Sequence, residues 1–192
     1  MFIVNLNRGG EVWGGGGRDN IIININLFLA TGYVQKFQTD HEGEIKCLCG
    51  ISDEILATGG EEGVVKLWNI VKNVQLASIK AHVAGVRYIS GGKLFRSDLE
   101  KNANALKKLL FGRNEKMEDF LITGGGAGDN SIAIWDINEK KEETMRLIGH
   151  RDGISSFVLL KDGITLVSGS QDCTVRFWNL TSRKEIKYIK KF

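Results

Sequence analysis

The 192-residue chain contains three histidines, and each is followed in sequence by a hydroxyl residue, an acid and a tryptophan. The last set is His150, Ser168, Asp172 and Trp178. A serine, a histidine and an aspartate are the parts of an acyl-transfer triad. The imidazole would act as general base on the hydroxyl, and the carboxylate would orient the ring. The same kinds of residue recur as His82, Thr123, Asp129 and Trp135, and again as His41, Thr58, Glu62 and Trp68. A hydrolase has no use for three nucleophiles, and the hydroxyl varies between Ser and Thr while the acid varies between Asp and Glu. Recurrence points to architecture instead. Burying an imidazole and an indole N–H is costly unless each finds a partner, which a repeated polar set could supply. No catalytic residue is assigned.

Other groups with chemical potential resolve in the same direction. Gly14 to Gly17, and the run Gly124-Gly125-Gly126-Ala127-Gly128, resemble phosphate cradles by composition. A phosphate loop leads into a helix N-terminus, usually through Lys and then Ser or Thr. Both runs lead instead to Asp-Asn and a further β-like stretch, so they are expected to be wide turns. Glu61-Glu62 and Glu142-Glu143 fall in turn-like sequence and read as solvated carboxylates. Cys47 and Cys49 lie in an apolar stretch and Cys173 far along the chain, without zinc-finger spacing. Neither a metal nor a cofactor is expected.

The elements that must position these residues follow from the spacing. An acid stands six positions before each Trp: Glu62 and Trp68, Asp129 and Trp135, Asp172 and Trp178. Asp19 precedes Ile25 by the same interval, so the acid-to-acid steps are 43, 67 and 43 residues. That is one period of about 43, stretched once by an insertion. Each unit holds four β-like runs separated by turn residues, which the 24 glycines and the absence of proline favour. The unit boundaries are placed at 1–38, 39–80, 81–148 and 149–192, with the insertion at 92–119.

The pairs Trp68-Asn69, Trp135-Asp136 and Trp178-Asn179, with Gly149-His150 upstream of the last, make the chain similar to the WD-repeat β-propeller family. The resemblance covers nearly all of the sequence outside 92–119. It implies an all-β propeller of four-stranded antiparallel blades, about four of them present. It also implies a hydrogen-bonded tetrad in each blade from the His, hydroxyl, acid and Trp sets above. Unit two departs from the pattern through Glu62, unit three through Ala81 before His82 and two extra residues between Thr123 and Asp129. The implied function is that of a non-enzymatic scaffold or adaptor within a multiprotein complex, binding proteins or peptides. The alternatives are a propeller enzyme or a ubiquitin-ligase substrate adaptor. The latter often carries a basic residue three positions after the Trp, where this chain has Val71, Asn138 and Thr181. Loop residues Arg18, Glu61, Asn130, Arg151 and Gln171 are candidate contacts. Because propellers of this family usually close with more blades, the chain is expected to be part of a larger ring, to be completed by itself or a partner, or to close as a ring of four.

Within the insertion, Ser97-Asp98-Leu99-Glu100 is a capping box and Gly112 is placed as a terminator, which predicts a helix over 98–111. Phe95, Leu99, Ala103, Leu106 and Leu110 recur at helical spacing. The stripe either folds onto the propeller or docks in a partner's groove, and Phe95, Leu99, Leu106 and Leu110 are the docking candidates; the lysines on its polar face leave a membrane-surface helix open as well. A formal charge of +3 creates no field that demands nucleic acid, and none is expected as a direct partner. Residues 183–192 are locally basic, which reads as a solvated, lysine-protected edge strand or as an electrostatic docking strip. No apolar run is long enough to span a bilayer. Three cysteines and no secretory signal pattern place the chain inside the cell, in cytoplasm or nucleus.

Overall fold

A computed structural model describes residues 2–6, 11–15, 21–26, 34–93, 119–137 and 142–190, with side chains described from residue 38 onward except at 92 and 93. Among the described residues, sixteen strands form four antiparallel four-stranded sheets in chain order. The first sheet is β1 (Phe2–Leu6), β2 (Glu11–Gly15), β3 (Ile21–Asn26) and β4 (Val34–Gln38). The second is β5 (Ile45–Gly50), β6 (Ile55–Gly60), β7 (Val64–Asn69) and β8 (Val74–Lys80). The third is β9 (Val86–Lys93), β10 (Asp119–Gly125), β11 (Ile132–Asp136) and β12 (Glu142–Leu147). The fourth is β13 (Ile154–Leu159), β14 (Thr165–Ser170), β15 (Thr174–Asn179) and β16 (Lys184–Lys190). No helix occurs among the described residues, and the helix expected over 98–111 lies outside them. So do Arg18, Phe95, Leu99, Leu106 and Leu110.

The sheets stack radially. β1 adjoins β5, β5 adjoins β9, and β9 adjoins β13, so the first strand of each sheet is innermost. The fourth strand is outermost, and every residue of β16 is exposed. This arrangement follows from strands that are apolar on both faces. Ile-Leu-Ala in β6 and Val-Val-Lys-Leu-Trp in β7 put hydrophobic side chains on alternate sides, so each sheet must be covered twice.

Register repeats from sheet to sheet. Leu56 faces Trp68, Leu121 faces Trp135, and Leu166 faces Trp178, each as a direct cross-strand pair. A register shift falls just before each Trp, between Leu67 and Trp68, Ile134 and Trp135, and Phe177 and Trp178. Such a bulge raises local twist and lets the outer strand peel away from its neighbour. In the first sheet Val12 faces Ile25, and the corresponding β3–β4 pairing carries no shift.

Among the described residues, two of the three buried apolar clusters join neighbouring sheets. One joins Ala57, Val65, Leu67 and Ile79 of the second sheet to Val86, Ile89, Leu121 and Trp135 of the third. The other joins Ile122, Ile132, Ile134 and Leu147 of the third to Ile154, Phe157, Leu166 and Trp178 of the fourth. Gly124 corrects the expectation that its glycine run is a wide turn. It is a strand residue of β10, and a Cβ there would lie 2.8 Å from the Ile154 side chain. The glycine exists to let the next sheet approach, as Gly59 does against Val86, also at 2.8 Å. Only Gly126 to Gly128 belong to the turn that follows.

Candidate functional site

The histidine sets lie at one end of the sheets, where the loop entering each innermost strand meets the turn between the second and third strands. A backbone bond ties loop to turn in the same way each time. Glu61 N–H donates to Glu44 C=O at 2.9 Å, Gly126 N–H to Gly85 C=O at 2.7 Å, and Gln171 N–H to Gly153 C=O at 2.9 Å. The residue after each acid adopts a left-handed backbone, with φ of 79° at Gly63, 59° at Asn130 and 62° at Cys173.

In the fourth sheet, Trp178 Nε1–H donates to Ser168 Oγ at 2.8 Å, and Ser168 Oγ lies 2.8 Å from His150 Nε2. His150 Nδ1 lies 3.0 Å from Asp172 Oδ2. The third sheet brings Trp135, Thr123, His82 and Asp129 together at 3.0, 2.8 and 2.9 Å along the same chain of contacts. In the second, Trp68 and His41 lie 2.9 and 2.7 Å from Thr58 Oγ1, and His41 Nδ1 meets Glu62. The indole can only donate, so the hydroxyl accepts from it and gives its proton to His Nε2. The remaining imidazole N–H then points at the carboxylate. Protonation favours the same arrangement. Burial pushes His82 and His150 below the usual histidine value, although their carboxylate partners partly offset it, so both rings are neutral at pH 7.

That proton order is the one a serine hydrolase uses, so the connectivity alone does not decide the chemistry. Access does. Thr58, Thr123 and Ser168 are 0%, 0% and 1% exposed, and each hydroxyl already accepts an indole N–H. A hydroxyl walled in this way cannot meet an acyl carbon. The work it does is to pair the buried indole N–H with the imidazole, whose other nitrogen meets the carboxylate.

The carboxylates are drawn in more tightly than the histidines require. Asp172 also accepts Arg151 N–H at 2.9 Å, Thr174 N–H at 2.9 Å and Thr174 O–H at 2.6 Å. Burial alone would raise its pKa, but these bonds hold it far below the ordinary carboxylate range. Asp129 is lowered in the same way by Ser131, the Val83 amide and His82. The signs of the pH dependence agree. The unfolded chain binds more protons at both kinds of site, so stability falls as pH drops. Loss begins near pH 6.5, as His82 and His150 charge in the unfolded state, and steepens below about pH 4 through Asp129 and Asp172. Urea unfolding at pH 7.5, 5.5 and 4 should give a midpoint that declines at each step.

Glu62 departs from this scheme. Its Oε1 engages His41, whereas Oε2 is buried with no hydrogen-bond partner. The longer side chain fits because residue 60 is glycine, where a Cβ would lie 2.1 Å from Oε2. The fourth sheet has Ser170 at the corresponding place, and its hydroxyl accepts the Asp172 amide at 3.1 Å. Gly60→Ser alone should therefore destabilise by about 2 kcal/mol, whereas Gly60→Ser with Glu62→Asp should be near neutral. A double-mutant cycle on urea midpoints measures the coupling.

Two of the sets are also braced by a cation that sequence reasoning missed. Lys66 is buried, its Nζ bonded to Asp40 Oδ1 at 2.6 Å and Asp40 C=O at 2.8 Å. Arg176 holds the equivalent position in the fourth sheet, two residues before the Trp, and pairs with Glu185. The third sheet has Ala133 there. Its cation comes from the cross-strand partner, Arg146, which reaches Ser131 Oγ at 2.8 Å and Ala81 C=O at 2.9 Å. Comparing Lys66, Ala133 and Arg176 across the repeat was the available signal.

Of the candidate contact residues, Glu61, Arg151 and Gln171 are exposed at this end of the sheets, and Asn130 is half-buried with its Oδ1 accepting the Gly128 amide at 3.1 Å. Val83 and Ile148 are exposed in the same loops at 81% and 77%, an apolar component the sequence reading did not include. No group of three or more potential metal ligands occurs among the described residues.

Four-stranded antiparallel sheets packed face to face around inner first strands, three of them with a buried brace among the described residues, define a propeller architecture. The family model for the WD domain, G-beta repeat, matches residues 32–69 and 141–179. Each matched stretch runs from the outer strand of one sheet through the first three strands of the next. Both stretches are thus WD repeats by that model, and the chain as a whole is similar to WD-repeat proteins. It is 29% identical to "Transcription factor unc-37" of Caenorhabditis elegans over 82% of this chain and 30% of that protein. It is 26% identical to "WD repeat-containing protein srw1" of Schizosaccharomyces pombe over 93% and 36%. It is 25% identical to "APC/C activator protein CDH1" of Saccharomyces cerevisiae over 90% and 26%. A chain in "Crystal Structure of Mitotic Checkpoint Complex" shares the fold with a TM-score of 0.69 at 18% identity, over 94% of this chain and 48% of that one. The chain thus spans less than half the length of these relatives.

Proposed function

We propose that the chain is a non-enzymatic interaction scaffold, a subunit of a multiprotein complex that holds protein or peptide partners at the histidine end of its sheets. The observation that carries this reading is the closure of all three His, hydroxyl and Trp networks at that end. Loops tied down so tightly present Glu61, Val83, Arg151 and Gln171 in fixed positions, and a rigid surface loses little entropy on binding. The mixture of charge, amide and exposed valine suits a peptide with both polar and apolar side chains. The inaccessible hydroxyls support the absence of hydrolase chemistry.

A second, narrower reading has its own support. The relatives include proteins named Fizzy-related and an APC/C activator, each matching most of this chain. On that reading the scaffold serves an assembly of that kind. Affinity capture with the wild-type chain and with a Glu61→Arg, Arg151→Glu, Gln171→Arg variant tests both. Binding proteins should be lost from the variant while its circular dichroism is unchanged. Capture of the same proteins by both chains would overturn the assignment of this end as the binding face.

A further inference from the structure

We propose that Arg87 reads an acidic side chain of the partner at the histidine end, so that the bound segment carries Asp or Glu beside an apolar residue. This inference rests on the reading of that end as the binding face and names the chemistry of its partner.

The repeat itself sets the comparison. The amides of Glu61, Gly126 and Gln171 donate to the carbonyls of Glu44, Gly85 and Gly153, which puts these residues at equivalent places. Two residues further on stand Lys46, Arg87 and Ser155. Each is the extra residue of a bulge at the head of an innermost strand. It is skipped between Ile45 opposite Gly60 and Cys47 opposite Gly59, between Val86 opposite Gly125 and Tyr88 opposite Gly124, and between Ile154 opposite Ser170 and Ser156 opposite Gly169. A bulge re-aims the side chain it carries, and the same device acts on Lys46 and Arg87.

The two cations differ in what answers them. Lys46 Nζ lies 2.7 Å from Glu44 Oε2 and 3.7 Å from Glu61 Oε1. In the third sheet both of those acid positions are glycine, Gly85 and Gly126. Arg87 is exposed and forms no hydrogen bond or salt bridge among the described residues. Gly126 also sets its course. A Cβ there would lie 3.5 Å from Arg87 Nε and 3.6 Å from its Cγ, so the side chain runs along the bare backbone of the turn.

The surroundings favour a single negative charge. The loop carrying Arg151 packs on the same turn, since a Cβ on Gly153 would lie 2.8 Å from Ala127 N. Acids of the adjoining loops are already engaged, Glu61 by Lys46 and Asp152 Oδ1 by the Gly153 amide at 2.7 Å. A guanidinium left open in this way offers a carboxylate two parallel N–H···O bonds. The double charge of a phosphate is better met by a cluster of arginines away from acids. Val83, exposed in the same loop as Arg87, supplies the apolar contact.

Arrayed synthetic peptides test the proposal with the whole chain as probe. They are made as twins that differ only in Asp or Asn, or in Glu or Gln, beside a Val or Leu. The wild type should retain the acidic twins about 10-fold more strongly. Arg87→Gln should abolish that preference, and Arg87→Glu should turn it toward twins bearing Lys. Gly126→Glu restores the acid that Lys46 has in the second sheet, so it should abolish the preference by pairing Arg87 internally. Circular dichroism should be unchanged in each. Retention without preference for acid, or a preference that survives Arg87→Gln and Gly126→Glu, would overturn this inference and leave the binding face standing. Stronger retention of phosphoserine twins than of Asp twins would overturn the carboxylate assignment. Retention of no peptide of any kind would overturn both readings.

Discussion

Asp172→Ala should destabilise the protein by about 3–5 kcal/mol, the loss typical of removing one member of a buried, hydrogen-bonded polar pair. The methyl group would strand His150 Nδ1–H, the Arg151 amide and both Thr174 donors, which all converge on that carboxylate. Unsatisfied buried donors cost roughly 1–3 kcal/mol each, with some relief from entering water. Asp172→Asn should recover part of the loss, since one oxygen remains to accept while the amide nitrogen opposes the other donors. The same truncation at Glu62 should cost less, because one of its oxygens is already unpaired. Urea unfolding followed by tryptophan fluorescence measures all three. Total stabilities of 5–15 kcal/mol make the first of these losses severe.

Gly63→Ala is the second large effect, expected at about 3 kcal/mol or more. A Cβ on Gly63 would sit 2.3 Å from His82 C=O and 2.6 Å from Ala84 C=O, and its φ of 79° already disfavours any side chain. The colliding atoms are backbone, so no rotamer change relieves the contact. Gly63 C=O also accepts the Ala81 and His82 amides at 3.0 Å, so displacing it disturbs the loop that carries the next histidine. Gly63→Asn should be no better than Ala, although Asn130 tolerates the left-handed region in the third sheet. By contrast, Cys173→Gly should be neutral or stabilising by about 1 kcal/mol, because it relieves left-handed strain in an exposed turn.

The contrast between Gly63 and Cys173 also marks how far a sequence reading reaches. The six-residue interval from acid to Trp is a local quantity, set by one turn and one strand. It located all three acidic turns and, through them, the sheets. The pairing of Leu with Trp across β6–β7, β10–β11 and β14–β15 follows from the same alternation. What stayed hidden depends on contacts between sheets. Gly124 looks like turn composition until Ile154 is seen pressing on it. The cation bracing the third set is displaced across a strand pair to Arg146, which no linear spacing reveals. The fit of Glu62 likewise depends on Gly60, two residues away in sequence but significant only through the volume its missing side chain leaves.

The central claim is that the His, hydroxyl, acid and Trp sets brace the sheets and perform no chemistry on a substrate. Exchange of the tryptophan indole N–H protons with deuterium, followed by NMR, tests it most directly. If the indole protons of Trp68, Trp135 and Trp178 are donors in closed networks, they should exchange only as the whole domain unfolds. In Asp172→Ala, Trp178 should exchange fastest of the three. Rapid exchange of Trp178 in the wild-type protein would contradict the account, because it would mean that Ser168 lies in a site open to solvent.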